Sequence, residues 1–170
     1  MTTVSRINRR ALVAGSLALS VGLFAATTAV RAQDDPLALV EAYLAAWNAH
    51  DAEAAAAFLA EDVTYYDASA GTPLQGRANA KAFVIDAFLT AVPDAVWAMK
   101  GEPVVQGSSL AFEWAFSGTN TGAWADGTEA TGKSFTLDGL SLFRIEDGQI
   151  AYQGDYYDAL GFYIALGLIE

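Results

Sequence analysis

The sequence predicts an α+β domain, because the spacing of its apolar residues changes once along the chain. Before Pro93, apolar residues recur at intervals of three and four, the spacing of one helix face. From Val96 onward they alternate with other residues, as in strands with one buried face. The chain has 170 residues, 54% of them hydrophobic, which is enough for the core of one domain.

The first two helices are predicted between Pro36 and Leu59. Pro36 stands where a helix can begin, and an apolar face then continues to about Asn48. Asp51 is a suitable N-cap for a second, alanine-rich helix, which we expect to run through Phe58 and Leu59. The apolar face of the first helix consists of Leu37, Val40, Leu44 and Trp47.

A short strand, a loop and a third helix follow. Val63–Tyr66 is predicted as the strand, and residues 70–73 form the loop. The third helix follows Gly76 and ends before Pro93. Its apolar face consists of Ala80, Phe83, Val84, Ala87, Phe88 and Ala91.

The C-terminal half is predicted to be a meander of antiparallel strands. Gly107-Ser108 and Asp147-Gly148 are turn sequences between apolar runs. In Leu110–Ser117 every second residue from Leu110 to Phe116 is apolar, so we expect the helices to cover that face of the sheet. The predicted strands are Val96–Lys100, Val104–Gln106, Leu110–Ser117, Ser134–Ile145 and Gln149–Tyr157.

Residues 1–32 have the pattern of an export signal peptide. Arg9 and Arg10 precede an uncharged run over residues 11–30, and small or apolar residues occupy the positions that favour cleavage before Gln33. The arginine pair resembles a bacterial twin-arginine signal. The alternative is an uncleaved anchor, since 20 uncharged residues just span a bilayer. We predict a mature domain at 33–170, periplasmic or secreted, with no membrane attachment after cleavage.

The predicted mature domain is strongly acidic. All twenty acidic residues but only five basic ones follow Gln33, so its net charge is −15. Such a domain is a poor partner for nucleic acid or for an anionic membrane. The absence of cysteine excludes disulfides and thiolate chemistry, which leaves carboxylates as the plentiful acid–base groups.

Two motifs that suggest other chemistry are set aside. Gly127–Ser134 matches the phosphate-loop pattern G-x-x-x-x-G-K-[ST], but residues 135–143 alternate like a strand where that loop requires a helix. His50, the only histidine, lies at a corner between two predicted helices. No acidic run has the spacing of a calcium loop. We therefore expect neither a metal nor a cofactor.

The last predicted strand carries the main candidate for catalysis, Asp155. Aromatic residues follow it, and in an apolar cavity loss of hydration would raise its pKa toward neutral pH, where a carboxyl group can shuttle protons. Alternation places Gln153 and Tyr157 on the same face. Asp158 is the alternative acid, or else the N-cap of a helix that begins at Ala159.

Four further residues are candidates for contact with a ligand or water. Tyr65 and Asp67, two apart on one strand, could point into the same cavity, although Tyr65 could equally be a core residue with its hydroxyl at the rim. Trp124 and Glu113 are candidates for substrate contact. A carboxylate in mid-strand such as Glu113 needs either solvent or a partner.

Seven short runs, spread over nearly the whole mature chain, occur in an order and spacing typical of one fold. They are Leu39–Asn48, His50-Asp51, Gly76-Arg77, Ser117–Gly122, Ala130–Lys133, Phe143–Ile150 and Asp158–Gly167. Together they resemble the nuclear transport factor 2-like superfamily, specifically its SnoaL-like cyclase branch. The resemblance implies a cone of strongly bent antiparallel sheet, wrapped by three N-terminal helices around an apolar pocket, often in a homodimer. Members include polyketide cyclases, ketosteroid isomerases, limonene-epoxide hydrolases and proteins without catalytic activity, so the fold alone does not define the function.

The resemblance to limonene-epoxide hydrolases extends to particular residues. Asp155 takes the place of that family's catalytic Asp, and Tyr65 and Asp67 fall where its water-holding Tyr and Asn stand. Gln153 and Gly154 replace the Trp and Arg that precede the catalytic Asp there. The proton relay expected from that family is therefore incomplete in this chain.

Similarity to SnoaL-like cyclases instead aligns Asp158 with the Asp before the final Gly-rich stretch. The sequence leads to the hypothesis of an exported, cofactor-free acid–base enzyme of cyclase, isomerase or hydrolase type that acts on a small hydrophobic molecule. Asp155 would shuttle the proton, while Tyr65 and Asp67 would position substrate or water. The alternative is a non-catalytic module that binds a hydrophobic ligand in the same pocket.

Overall fold

The computed structural model describes residues 35–170, which have the expected α+β organisation. Their helices are α1 (Pro36–Asn48), α2 (Ala52–Ala57), α3 (Arg77–Ala80), α4 (Asp86–Ala91) and α5 (Ala159–Leu166), with a π-helical turn (Lys81–Ile85) joining α3 to α4. Their strands are β1 (Leu59–Asp67), β2 (Leu74–Gln75), β3 (Val96–Gln106), β4 (Ser109–Thr119), β5 (Ser134–Glu146) and β6 (Gln149–Tyr157). The predicted export signal lies outside the described residues.

The strands form one bent, open sheet in the order β2-β1-β6-β5-β4-β3. From β3 to β6 each strand pairs antiparallel with the next, as the meander predicts. β1, however, pairs in parallel with β6, so the expectation of a purely antiparallel sheet is wrong and the sheet is mixed. The long connection between these two strands makes this possible, because only a hairpin forces neighbouring strands to be antiparallel.

Two element boundaries differ from the prediction. The second helix does not reach Leu59, because this fully buried residue begins β1 and pairs with Ile150 of β6. β1 therefore covers nine residues instead of the four predicted. β3 is one strand over Val96–Gln106 instead of two, with an irregular register between Lys100 and Val104.

The helices lie against one face of the sheet and enclose an aromatic core. Tyr43 and Trp47 of α1 pack edge to face on Trp97 of β3, with ring centroids 6.1 and 5.5 Å away. Tyr43 also meets Phe143 of β5 edge to face at 6.1 Å. In the part of the chain that the structure describes, no helix combines the length and the apolar character needed to cross a membrane.

The phosphate-loop match and His50 both lie in parts of the fold that give them a structural role. Ser134 begins β5, so a strand follows Lys133 where a phosphate loop would need a helix. His50 lies in the turn between α1 and α2, and its Nε2 atom is 2.9 Å from the carbonyl oxygen of Ala95. This contact ties the turn to the residue that precedes β3.

Candidate active site

The pairing of β1 with β6 brings the main site candidates together. In its register Tyr65 lies opposite Gln153 and Asp67 opposite Asp155. Because side chains alternate along a strand, these four residues and Tyr157 point to the same inner face of the sheet. Tyr65, Asp67, Gln153 and Asp155 are all buried there.

Asp155 is a buried carboxyl group with hydrogen bonds to both oxygens. The Tyr65 hydroxyl donates to Oδ2 at 2.8 Å, and the Ser141 hydroxyl donates to Oδ1. Nε2 of Gln153 lies 3.0 Å from Oδ2, 3.2 Å from Oδ1 and 2.7 Å from the Tyr65 oxygen. The carboxyl group is therefore held firmly, and its ionised form is well supplied with donors.

Trp114 fixes the direction of the Ser141 hydrogen bond. Its Nε1–H donates to the Ser141 oxygen at 2.8 Å, so the hydroxyl proton of Ser141 is free to point at Asp155. Ser141 was not among the site residues predicted from the sequence. A signal for it was present, since alternation along β5 places this polar residue on the apolar face of Leu137 and Phe143.

The pKa of Asp155 is raised to about 7, mainly because burial removes the hydration of the charged form. The donors Ser141, Tyr65 and Gln153 oppose this rise, whereas the nearby charge of Asp67 adds to it. At neutral pH Asp155 therefore exchanges readily between its protonated and ionised forms, which is the property a proton shuttle needs.

Asp67 has one occupied and one open carboxylate oxygen. Its Oδ1 accepts from the Tyr157 hydroxyl and from the Ser69 backbone amide, each at 2.9 Å, and from the Ser69 hydroxyl. Among residues 35–170, no donor lies within hydrogen-bonding distance of Oδ2. Burial raises the pKa of Asp67 as well. Its open oxygen is available to a ligand or to water.

Both carboxyl groups line a small cavity, which we call the inner cavity. Its other walls are largely aromatic and include Tyr65, Trp47, Trp97, Trp114 and Tyr157. The centres of water-sized molecules can occupy about 40 Å³ of it, which is room for roughly three waters. Such surroundings strengthen electrostatic interactions and account for the raised pKa values.

Several buried polar atoms near the site have no hydrogen-bond partner within residues 35–170. Among the described residues, none pairs with Nε1 of Trp47 or Trp97, with the Tyr43 hydroxyl or with Oε1 of Gln153. Buried polar groups in proteins nearly always have a hydrogen-bond partner. All four atoms are shielded from solvent, and the Tyr43 hydroxyl lies beside the side chains of Trp47, Tyr65 and Gln153.

The remaining sequence candidates lie elsewhere. Asp158 accepts a hydrogen bond from the Gly161 amide at 2.8 Å and caps α5, as its alternative role predicted, and it does not line the inner cavity. Glu113 is exposed on the outer face of β4. Trp124 lines a second, larger space beside the inner cavity. Across residues 35–170, no cluster of three or more His, Asp or Glu side chains could hold a metal ion.

Fold and site together define the class of protein. A SnoaL-like domain model matches residues 40–153, and the chain belongs to this family. The match contains Tyr65, Asp67 and Ser141 of the site and ends two residues before Asp155.

Solved structures support the same class. TsrD from Streptomyces laurentii is 27% identical, covering 82% of this chain and 98% of TsrD, with a TM-score of 0.67. A candidate polyketide cyclase from Xanthomonas campestris pv. campestris is 26% identical, covering 77% and 96%, with a TM-score of 0.65. Another from Pseudomonas putida KT2440 is 29% identical, covering 75% and 95%, with a TM-score of 0.60. Among curated proteins, no sequence matches the chain.

Proposed function

We propose that this SnoaL-like protein is a cofactor-independent acid–base enzyme of cyclase, isomerase or hydrolase type, acting on a small hydrophobic molecule. The observation that carries the proposal is Asp155, a buried carboxyl group with a pKa of about 7 on the wall of an aromatic cavity. A well-placed acid or base with a pKa near the working pH contributes about 10²–10⁴-fold to a reaction rate. The similarity to candidate polyketide cyclases is in keeping with this type of chemistry.

The hydrogen bonds suggest how protons would move. Because both oxygens of Asp155 are occupied, it would exchange protons with a ligand through Tyr65, whose hydroxyl it contacts and which lines the inner cavity. Protonated Asp155 would donate to the Tyr65 oxygen while Tyr65 donates its own proton to the ligand. The open oxygen of Asp67 would accept a proton from the ligand or from water. One proton enters and one leaves, so no cofactor is required.

Proton exchange into a carbon acid tests the proposal. We expect the protein to accelerate exchange of the α-protons of 2-tetralone in D₂O, and Asp155→Asn to lower this rate by about 10²-fold or more. Asp158→Asn is the matched control, because Asn retains helix capping outside the cavity. Proton NMR follows the exchange. Binding of 2-tetralone without accelerated exchange would favour the non-catalytic binding module.

We further propose that the protein is exported to the periplasm or beyond the cell after cleavage before Gln33. The support is the pattern of residues 1–32: two adjacent arginines, an uncharged run and a suitable cleavage position. Four of the nine basic residues lie in this N-terminal segment, so its removal would leave a mature domain with a net charge of −15.

A homodimer is proposed as well, through the outer face of the sheet. Leu140 and Tyr156 are paired across β5 and β6 there, and they are 41% and 43% exposed. Exposed apolar side chains that lie together favour association. Sedimentation of the mature chain at the mass of one copy would contradict the proposal.

A further inference from the structure

The two carboxyl groups of the site receive the same kinds of donor in different arrangements. Asp67 and Asp155 each accept hydrogen bonds from one serine and one tyrosine hydroxyl. At Asp155 the two hydroxyls are divided between the two oxygens, whereas at Asp67 both donate to Oδ1, so that Oδ2 is left for another partner. The serine and tyrosine donors are Ser141 and Tyr65 at Asp155, and Ser69 and Tyr157 at Asp67.

Ser69 supplies two of the donors to Asp67. Its backbone amide lies 2.9 Å from Oδ1, and its hydroxyl donates to the same oxygen. The amide of Ala70 lies 3.4 Å from this oxygen as well. An aspartate side chain that accepts from the residues just after it forms a local turn. The loop after β1 therefore fixes which oxygen of Asp67 is occupied.

The loop that carries Ser69 is itself held on two sides. Next to Ser69, the backbone amide of Ala68 donates to the carbonyl oxygen of Asp155 on β6 at 3.1 Å. On the other side, the hydroxyl of Tyr163 on α5 donates to the Ser69 carbonyl oxygen at 3.0 Å. Site residues whose neighbours are fixed in this way keep their geometry before a ligand arrives.

The ionised form of Asp67 depends on these hydrogen bonds. Asp67 is only 4% exposed, and burial raises its pKa. The Ser69 hydroxyl opposes this rise more than any other group, followed by Tyr157. The other titratable groups that act on Asp67 are Asp155 and Tyr65. In the described part of the chain, the wall of the inner cavity has no Lys, Arg or His, so hydrogen bonds must stabilise the charge.

We infer that Ser69 is a positioning residue of the acid–base site, which holds Asp67 in its ionised form and leaves Oδ2 as the oxygen that accepts a proton. The inference rests on the proposed function, in which Asp67 accepts a proton and Asp155 delivers one. Only an ionised carboxylate can accept, and only a protonated carboxyl group can deliver. The different placement of similar donors thus gives two carboxyl groups in one cavity opposite roles.

Loss of the Ser69 hydroxyl tests this role. Ser69→Ala removes the hydroxyl and keeps the backbone amide, so we expect the ionisation constant of Asp67 to fall about threefold or more, because a hydrogen bond to a charged acceptor is a strong one. Carboxyl ¹³C NMR measures the titration. Ser69→Thr retains a hydroxyl and should restore the constant. Ser108→Ala is the matched control, since Ser108 is exposed in the β3–β4 turn and does not line the inner cavity.

The same titration shows whether the site is intact in each variant. Burial also raises the pKa of Asp155, which should therefore stay at about 7. If Ser69→Ala loses this signature, Ser69→Cys repeats the test with a side chain of similar shape and a weak donor. An unchanged ionisation constant of Asp67 in the intact variant, or a Ser69→Thr protein that behaves like Ser69→Ala, would overturn the inference.

The pH profile of proton exchange in 2-tetralone separates positioning from a purely structural role. Ser69→Ala should move the acid limb to higher pH and leave the alkaline limb, which Asp155 sets, in place. An equal loss of rate at every pH would contradict positioning. If Asp67 titrates as expected but the unsubstituted protein does not accelerate exchange, the proposed function fails and the hold of Ser69 on Asp67 stands. If exchange is accelerated but Ser69→Ala leaves Asp67 unchanged, the positioning role alone fails.

Discussion

Asp155 lowers the stability of the folded chain whenever it is ionised. Its pKa rises from about 3.9 in an unfolded chain to about 7 in the fold, chiefly through burial. Each unit corresponds to 1.36 kcal/mol, so ionisation costs about 4 kcal/mol of stability above neutral pH. Ser141, Tyr65 and Gln153 keep this cost from being larger. A buried carboxyl group that destabilises the fold when ionised is typical of functional sites, where its perturbed pKa serves catalysis.

The raised pKa of Asp155 predicts how the stability of the fold changes with pH. A group with a raised pKa binds more protons in the folded state, so its contribution is fully present below pH 4 and is lost as the pH rises through about 7. Urea unfolding at pH 5 and pH 8.5 should show a smaller loss of stability for Asp155→Asn than for the unsubstituted chain. Asp158→Asn should match the unsubstituted chain. An unchanged loss in Asp155→Asn would show that the carboxyl group is not perturbed.

Gly139 of β5 supports the site through Trp114, the residue opposite it on β4. A Cβ atom at this position would come within 2.3 Å of the Trp114 ring, which holds Ser141 against Asp155. Trp114 can pack over β5 only because residue 139 lacks a side chain. The sheet therefore uses one glycine to position the donor to the carboxyl group.

Replacement of that glycine should affect both stability and pKa. We expect Gly139→Ala to lower the free energy of unfolding by about 1–3 kcal/mol through overpacking. Displacement of Trp114 should also weaken the Ser141 hydrogen bond and raise the pKa of Asp155 further, as measured by carboxyl ¹³C NMR. Asp138→Ala is the control: its exposed ion pair with Lys100 contributes at most about 1 kcal/mol. Equal effects of both variants would contradict this role for Gly139.

Local sequence patterns predicted most helices and strands. The errors arose where contacts between residues far apart in the sequence determine the secondary structure. The alternation in β4 and β5 and the capping role of Asp51 follow from neighbouring residues, and the structure confirms them. Helix propensity extended α2 to Leu59, but pairing with Ile150 draws that residue into β1. The π-helical turn at Lys81–Ile85 could not be predicted either, because the apolar residues around it are spaced as in a regular α-helix.

For the whole molecule, the site was predictable in part. Asp155 could be singled out as a carboxylate late in a strand that aromatic residues follow, and Tyr65 and Asp67 because they lie two apart on one strand. That Tyr65 and Asp155 touch could not be foreseen, since 90 residues separate them and the strand pairing between them is parallel.

The proposed export predicts where the mature chain begins and what replacement of the arginine pair does. Expressed in a bacterium with a twin-arginine pathway, the exported form should begin at Gln33 by mass spectrometry, and Arg9→Lys with Arg10→Lys should retain it inside the cell. Arg6→Lys, outside the arginine pair, should be exported normally. An exported chain that still begins near Thr2 would contradict cleavage.

The side-by-side arrangement of β1 and β6 has a consequence for biosynthesis. β1 is the first strand to leave the ribosome and β6 the last, so Tyr65 can meet Asp155 only after nearly all of the chain has been made. Contacts of such long sequence separation also form slowly during folding. The candidate site can therefore form only when synthesis of the polypeptide is nearly complete.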